Sequence, residues 1–312
     1  MPITALFVHR PEQWPIYRVA LGAAFGELNL DVNLLQETDD PASIDYIIYA
    51  PSGALKDFSP FTNLKAVLSL WAGVEKIEGN ASIKVPLCRM VDPGMSAGMR
   101  EYVMGHILRH HLGMDKYIHG QDGIWRNDPA PPLACNRTVG FLGLGALGLA
   151  CANAACDIGF NVLGWSRRLK TLKGITTYCG TDGLHAMLAQ SEILVLLLPA
   201  TVATGHILNA ETLNMMPGGA FIINPGRGTL IEDTALLGAL DHGKIAHATL
   251  DVFHTEPLAP THPYWAHPKV TVTPHIASET RPQTAARMIA QNIKRGEENQ
   301  PFLHMVDRKS GY

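Results

Sequence analysis

Apolar residues recur along this chain in two alternating periods. Ile3 to Val8 is a short apolar run, and Trp14, Tyr17, Leu21, Phe25 and Leu28 then fall three or four positions apart. The first pattern predicts a strand and the second a helix with one covered face. Leu30, Val32 and Leu34 alternate as strand residues do, and Tyr46 to Tyr49 is a short run closed by Pro51 and Gly53. Leu64 to Trp71 and Val85 to Met90 add two more strands. Strands alternating with helices predict a small parallel α/β domain.

Asp92-Pro93-Gly94 is read as a break in that pattern. From Ser96 to Leu112 the apolar positions Met99, Val103, Ile107 and Leu108 predict a covered helix, and the chain is expected to change domain there. The stretch from Trp125 to Pro132 holds three prolines and is expected to be a stiff, exposed loop.

A second series of strands follows. Thr138 to Gly148 reads Thr-Val-Gly-Phe-Leu-Gly-Leu-Gly-Ala-Leu-Gly, so the apolar run Val139, Phe141, Leu142 empties into Gly143-x-Gly145-x-x-Gly148, ahead of an Ala-rich helical stretch. Gly143 permits a tight strand-to-helix turn, Gly145 lets backbone approach a pyrophosphate, and Gly148 lets helix and strand pack closely. The helix start, at Ala146 and Leu147, offers N–H groups and a positive dipole end to an anion. Asn161 to Trp165, Ile193 to Leu198, Ala220 to Asn224, His247 to Val252 and Val270 to Thr273 are the further strands. The unbroken apolar run at 193–198 suits a central strand buried on both faces. Glu232 to His242 is a predicted helix with an acidic start and Gly243 past its end. A last helix, Pro282 to Arg295, is expected to return to the first domain.

Composition narrows the function classes. Of 312 residues, 46% are apolar and 17% charged, which is ample core material for two domains. A net charge of −3 without a long basic run argues against a nucleic-acid surface. The longest apolar run, Ile193 to Ala200, is too short to span a bilayer, and Met1 to Arg10 lacks the pattern of a signal peptide. Five cysteines with no C-x-x-C pair suit free thiols in a reducing cytoplasm.

Three polar residues stand at strand ends, where open α/β sheets bind ligands. Arg227 lies in Asn224-Pro-Gly-Arg-Gly228, Glu256 in Leu250-Asp-Val-Phe-His-Thr-Glu-Pro257, and His275 in Thr273-Pro-His-Ile-Ala-Ser278. An Arg/Glu/His set downstream of a dinucleotide turn suits reduction of a 2-oxoacid. Ser166-Arg167-Arg168 ends the second strand of this series, about 20 residues beyond Gly143, where an NAD-selective site carries an acidic residue. A hydroxyl and two cations suit a 2′-phosphate instead, which predicts NADPH. His106 and His110 have the spacing of metal ligands on a helix, joined by His111, but no acidic or cysteine ligand is placed to complete a site, so a structural role is expected. Cys151 and Cys156 are expected in the core of the cofactor-domain helix.

The glycine turn, Asn-x-x-Arg-Gly, Leu-Asp-Val-Phe-x-x-Glu-Pro and Pro-His-Ile-Ala, in this order, resemble the D-isomer-specific 2-hydroxyacid dehydrogenase family over nearly the whole chain. Asp92-Pro-Gly-Met95 and the ending Val-Asp-Arg-x-x-Gly-Tyr312 look most like its bacterial glyoxylate/hydroxypyruvate reductase A group. The resemblance implies that Arg227 holds the substrate carboxylate and carbonyl oxygen, that His275 exchanges a proton with that oxygen, and that Glu256 orients the imidazole. It implies a substrate loop at Trp71-Ala72-Gly73, where Trp71 and Glu75 depart from the family's Gly-Ala-Gly-Val-Asp, and cofactor contacts at Leu198 and Pro199. Two roles stay open for Asp251, facing the nicotinamide carboxamide or holding a strand end, and two for Trp71, narrowing the pocket or packing in the core.

The expected protein is therefore α/β with two domains, a Rossmann-type doubly wound parallel sheet inserted in a smaller flavodoxin-like substrate domain. Residues 1–98 and 285–312 are expected to form the substrate domain and 99–284 the dinucleotide domain, with the ligand cleft between them. The implied activity is NADPH-dependent reduction of small 2-oxoacids by a cytoplasmic homodimer, with no metal, nucleic acid or membrane partner. The alternatives are an NAD-linked D-glycerate or phosphoglycerate dehydrogenase and a dinucleotide-sensing, corepressor-like binding protein.

Overall fold

A computed structural model describes residues 2–125, 129–308 and 311. In chain order the elements are β1 (Ile3–Val8), α1 (Trp14–Glu27), β2 (Val32–Leu35), β3 (Tyr46–Tyr49), β4 (Ala66–Ser69), β5 (Leu87–Cys88), α2 (Pro93–His111) and α3 (Met114–His119). There follow β6 (Thr138–Leu142), α4 (Ala146–Ile158), β7 (Asn161–Trp165), β8 (Ile175–Tyr178), α5 (Gly180–Leu188), β9 (Ile193–Leu196) and α6 (Ala210–Met215). β10 (Ala220–Asn224), α7 (Asp233–Asp241), β11 (Ile245–Leu250), β12 (Val270–Val272) and α8 (Pro282–Glu297) complete the chain.

The chain divides into two compact units, residues 1–95 with 279–312, and residues 96–278. Its two crossings fall a few residues before the expected 98/99 and 284/285. In the first unit a parallel five-stranded sheet has the order β2-β1-β3-β4-β5, the flavodoxin-like arrangement. Tyr46 to Tyr49 and Ala66 to Ser69 are buried at every position, as strands covered on both faces must be. α8 packs on α1, and an exposed Arg287–Glu27 pair joins the two helices.

In the second unit a parallel seven-stranded sheet has the order β12-β11-β10-β9-β6-β7-β8, the doubly wound Rossmann arrangement. The strand order reverses at β6, so the turn after β6 sits at the switch point where such sheets bind ligands. β9, all buried, is the central strand. Two clusters fill the faces of this sheet, one around Leu142, Leu194, Ile222 and Leu236, the other around Val139, Phe141, Cys151 and Ile193.

Several boundaries differ from the sequence reading. Asp92-Pro93-Gly94 starts α2 rather than interrupting the chain. Oδ1 of Asp92 accepts the N–H groups of Gly94 (2.7 Å) and Met95 (3.0 Å), and Pro93 supplies the fixed φ of a first helical residue. The strand expected over 85–90 shrinks to Leu87–Cys88, and the one over 64–71 to Ala66–Ser69. β8 escaped the sequence reading because Ile175-Thr-Thr-Tyr178 is an edge strand with a half-polar surface. Cys151 is buried, but Cys156 is only half-buried and its thiol reaches the carbonyl of Gly174. Trp125 and residues 129–132 are exposed, while Arg126 to Asp128, like Tyr312, lie outside the described residues. No helix among the described residues is long and apolar enough to cross a membrane.

Candidate active site

Each of the expected site residues of the second unit lies at the C-terminal end of a strand. After β6, Gly143 adopts φ +106, and a β-carbon there would sit 2.6 Å from the carbonyl oxygen of Leu197. Leu198 (buried) and Pro199 (half-buried) belong to that adjoining segment, which Thr204 holds by donating its hydroxyl to the Pro199 carbonyl at 2.7 Å. A β-carbon on Gly148 would overlap the carbonyl of Gly143, so both glycines are fixed by close backbone packing. At Gly145 a β-carbon would meet nothing within 4 Å, and Gly145, as N-cap of α4, has no side-chain cap. The N–H groups of the first turn, from Ala146 and Leu147 onward, therefore present a helix N-terminus with its positive dipole end to an approaching anion.

At the end of β7, Ser166 is buried and its hydroxyl donates to the carbonyl of Arg168 at 2.8 Å. It braces the turn rather than standing ready as a ligand donor, a role the sequence reading did not assign. Arg167 and Arg168 are exposed on that turn. Lys170, which sequence reasoning passed over, donates from Nζ to the carbonyl of Leu144 in the glycine turn at 2.6 Å. The cradle that β-carbons would fill, the helix start and this cationic turn together fit a dinucleotide bearing an extra phosphate.

Arg227 follows β10 in a turn clamped by Asn224. The buried Asn224 amide takes the N–H of Gly226 at 3.1 Å and donates to the Arg227 carbonyl at 2.9 Å. Guanidinium Nη1 of Arg227 donates to the carbonyl of Gly226 at 2.6 Å. Glycine on both sides is obligatory: a β-carbon on Gly226 would press the Leu196 carbonyl at 2.7 Å, and one on Gly228 would overlap the backbone of Phe253 and His254. The turn carrying Arg227 thus lies directly against the loop carrying Glu256. His254 ties the two together, with Nε2 2.9 Å from the carbonyl oxygen of Ile231.

Glu256 and His275 meet. Oε1 of Glu256 accepts the N–H of Phe253 at 3.0 Å, and Oε2 lies 2.7 Å from Nδ1 of His275. An ionised carboxylate can only accept, so Nδ1 carries the proton and donates it to Glu256. That leaves Nε2 on a side chain 51% exposed. A ring so held can pass a proton at Nε2 to or from a ligand atom. Asp251 is wholly buried and its carboxylate takes donors from the Thr273–Ala277 turn, so of its two open roles the strand-end one is occupied.

In the first unit, Trp71, Ala72 and Gly73 follow β4 and are all half-buried. Trp71 N–H donates to Oγ of Ser69 at 3.0 Å, and its carbonyl accepts from Met90 at 3.0 Å. Trp71 is not among the fully buried core residues. Of the histidines of α2, His110 is packed inside the unit: it is 3% exposed, with Nε2 3.0 Å from Oγ1 of Thr249 and its ring stacked on Phe221. No group of histidines, cysteines and acids among the described residues is arranged to hold a metal.

Residues 102–277 match the model of the D-isomer specific 2-hydroxyacid dehydrogenase NAD binding domain. The chain belongs to this family. It is 39% identical over 258 residues to glyoxylate/hydroxypyruvate reductase A of Yersinia enterocolitica, an alignment covering 80% of this chain and 82% of that one. The counterpart from Serratia proteamaculans is 41% identical over the same coverage. Among solved structures, the family member from Xanthobacter autotrophicus, in complex with NADPH and MES, superposes with a TM-score of 0.92 at 38% identity over all of both chains. The NADPH-dependent glyoxylate/hydroxypyruvate reductase of Sinorhizobium meliloti, with NADP and sulfate, gives 0.87 at 34% identity over 100% and 99% of the two chains. With that membership and these relatives, the chain is an NADP-dependent oxidoreductase of the 2-hydroxyacid class.

Proposed function

We propose that this protein reduces small 2-oxoacids with NADPH, glyoxylate to glycolate and hydroxypyruvate to D-glycerate. The observation that carries the reading is the 2.7 Å contact of His275 with Glu256, on a loop packed against the turn of Arg227. The names of the curated relatives and the NADPH and NADP in two similar structures support the substrate and the cofactor.

Bound NADPH would supply the hydride, and Gly143, Gly145, Ala146, Leu147, Gly148, Leu198 and Pro199 are the residues that would hold its diphosphate and adjoining groups. Arg167 and Arg168 would take the 2′-phosphate through charge-assisted hydrogen bonds. Arg227 would bind the substrate carboxylate in its planar fork and stabilise charge growing on the carbonyl oxygen. Nε2 of His275 would give that oxygen its proton, and Glu256 would keep Nδ1 protonated and the ring in register. Backbone N–H groups at Ala72 and Gly73 would bind the carboxylate, with Trp71, whose own N–H is taken by Ser69, limiting side-chain length.

The five free cysteines support a reducing, cytoplasmic location. Exposed apolar side chains at Leu112, Met114, Tyr117, Ile118, Trp125 and Leu133 support a homodimer. Initial rates of NADPH and NADH oxidation over a panel of 2-oxoacids test the proposal. Turnover of glyoxylate and hydroxypyruvate with NADPH is expected. Preference for NADH would favour an NAD-linked dehydrogenase, and cofactor binding without turnover a sensing protein.

A further inference from the structure

The carboxylate of Asp251 has no exposure to solvent, yet it gathers three donors. Oδ1 accepts the hydroxyl of Thr273 at 2.6 Å and the N–H of Ile276 at 2.9 Å, and Oδ2 accepts the N–H of Ala277 at 2.9 Å. These donors flank His275 on both sides. The N–H of His275 itself is shared between the carbonyls of Asp251 (2.9 Å) and Thr273 (3.0 Å). His275 sits at φ +56, a left-handed conformation that a side chain with a β-carbon rarely adopts. Such a conformation persists only where its surroundings over-determine it, and here one buried carboxylate does so.

The network continues one step further. A threonine hydroxyl has a single proton, and that of Thr273 is given to Asp251. Its 2.7 Å contact with the hydroxyl of Tyr102 therefore has the tyrosine as donor. Tyr102 stands on α2, its ring tilted against His106 at a centroid distance of 4.6 Å. Burial is the main cause that pushes its phenol up to about 12, so it keeps the donated proton throughout the working range of an enzyme.

We propose that Tyr102 and Thr273 are positioning residues for His275, acting through Asp251 to hold the 273–277 turn where the imidazole meets Glu256. The proposal rests on His275 being the proton donor of the reduction above. Neither hydroxyl touches substrate. Each keeps the Asp251 carboxylate correctly aimed at the turn, and misplacement of a proton donor by a fraction of an ångström is costly in rate.

The test compares Tyr102→Phe, Thr273→Val and Thr273→Ser in the full chain, by steady-state kinetics and by amide hydrogen exchange at Ile276 and Ala277. Tyr102→Phe should lower kcat about 5- to 10-fold and Thr273→Val about 30- to 100-fold, with both KM values within about twofold of wild type. Thr273→Ser, which keeps the hydroxyl, should recover activity to within about threefold. The double variant Tyr102→Phe/Thr273→Val should be no slower than Thr273→Val alone, because both changes act on one chain of bonds. Exchange at the two amides should quicken about tenfold or more in Tyr102→Phe and Thr273→Val. Unchanged exchange at both amides overturns the positioning role, whatever reaction the protein catalyses. So does a kcat unchanged in Tyr102→Phe, or a loss carried entirely by KM. A wild-type protein inactive on every 2-oxoacid, with quickened exchange in the variants, supports the anchoring and rejects the reductase reading instead.

Discussion

Nδ1 of His275 donates to Oε2 of Glu256 across 2.7 Å, and the other oxygen of the same carboxylate is held at 3.0 Å by the N–H of Phe253. The glutamate is thus fixed by its own loop before it fixes the histidine. Replacing Glu256 with Gln keeps the shape and exchanges the charged acceptor of the Nδ1–H bond for a neutral amide. We expect kcat to fall about 100-fold with the oxoacid KM within about twofold, the pattern of a lost transition-state contribution. A KM rise that matches the loss would place Glu256 in substrate binding.

Arg227 is expected to serve both ends of the reaction, ground-state carboxylate and developing oxyanion. Arg227→Ala should therefore raise KM and lower kcat together. Loss of such a charge-assisted contact corresponds to roughly 2–4 kcal/mol, or about 30- to 1000-fold in kcat/KM. Near-normal rates in a folded variant would remove Arg227 from the site.

Cofactor choice is expected to reside at the turn after β7. Substituting Arg167 and Arg168 together with uncharged residues should raise the KM for NADPH on the order of 100-fold and leave that for NADH nearly unchanged. The wild-type preference should also shrink as salt rises, since exposed charges are screened. Equal use of NADH and NADPH by the wild-type protein would make these arginines an ordinary surface turn.

A fourth expectation concerns stability. Burial pushes His110 down to about 3 and His247 down to about 4 from the ordinary histidine value of 6.5. His247 keeps Nε2 2.9 Å from Oγ1 of Thr271, which also accepts from Arg109. Burial, with the positive Arg109 guanidinium close by, keeps the His247 ring neutral in the folded state. Below pH 6.5 the unfolded chain binds protons that the folded chain refuses, so stability falls with pH until the depressed values are reached. Each histidine contributes a slope of up to about 1.4 kcal/mol per pH unit in that window. Thermal melts between pH 6.5 and 5, above the range where most carboxylates titrate, should show the fall. His247→Gln should flatten the slope, and equal slopes in variant and wild type would contradict the assignment.

Much of this architecture was legible in the chain because its signals are local. Ile193 to Leu196 announces a strand buried on both faces by being apolar throughout, and Gly143 and Gly148 report backbone demands that no other residue meets. Edges were less legible. Pro93 begins a helix only because the side chain of Asp92 caps it, and Ile175 to Tyr178 pairs on one side alone. At the site, Arg227, Glu256 and His275 stood out as charged or titratable residues at strand ends. Tyr102 and Thr273 did not, since their roles arise from contacts across 171 and 22 residues of sequence, which no spacing reveals. The bracing of the cofactor turn by Ser166 was hidden for a similar reason: a serine hydroxyl looks the same whether it faces a ligand or a carbonyl.

The account turns on hydride delivery to the C2 carbonyl of a 2-oxoacid with a proton from His275. The most direct measurement is label transfer: hydroxypyruvate is incubated with the protein and NADPH dideuterated at C4 of the nicotinamide, and the glycerate is analysed by NMR and chiral chromatography. The account predicts D-glycerate carrying one deuterium at C2, with His275→Gln forming product about 100- to 10,000-fold more slowly. Unlabelled glycerate, or no glycerate from a protein that binds NADPH, would contradict it.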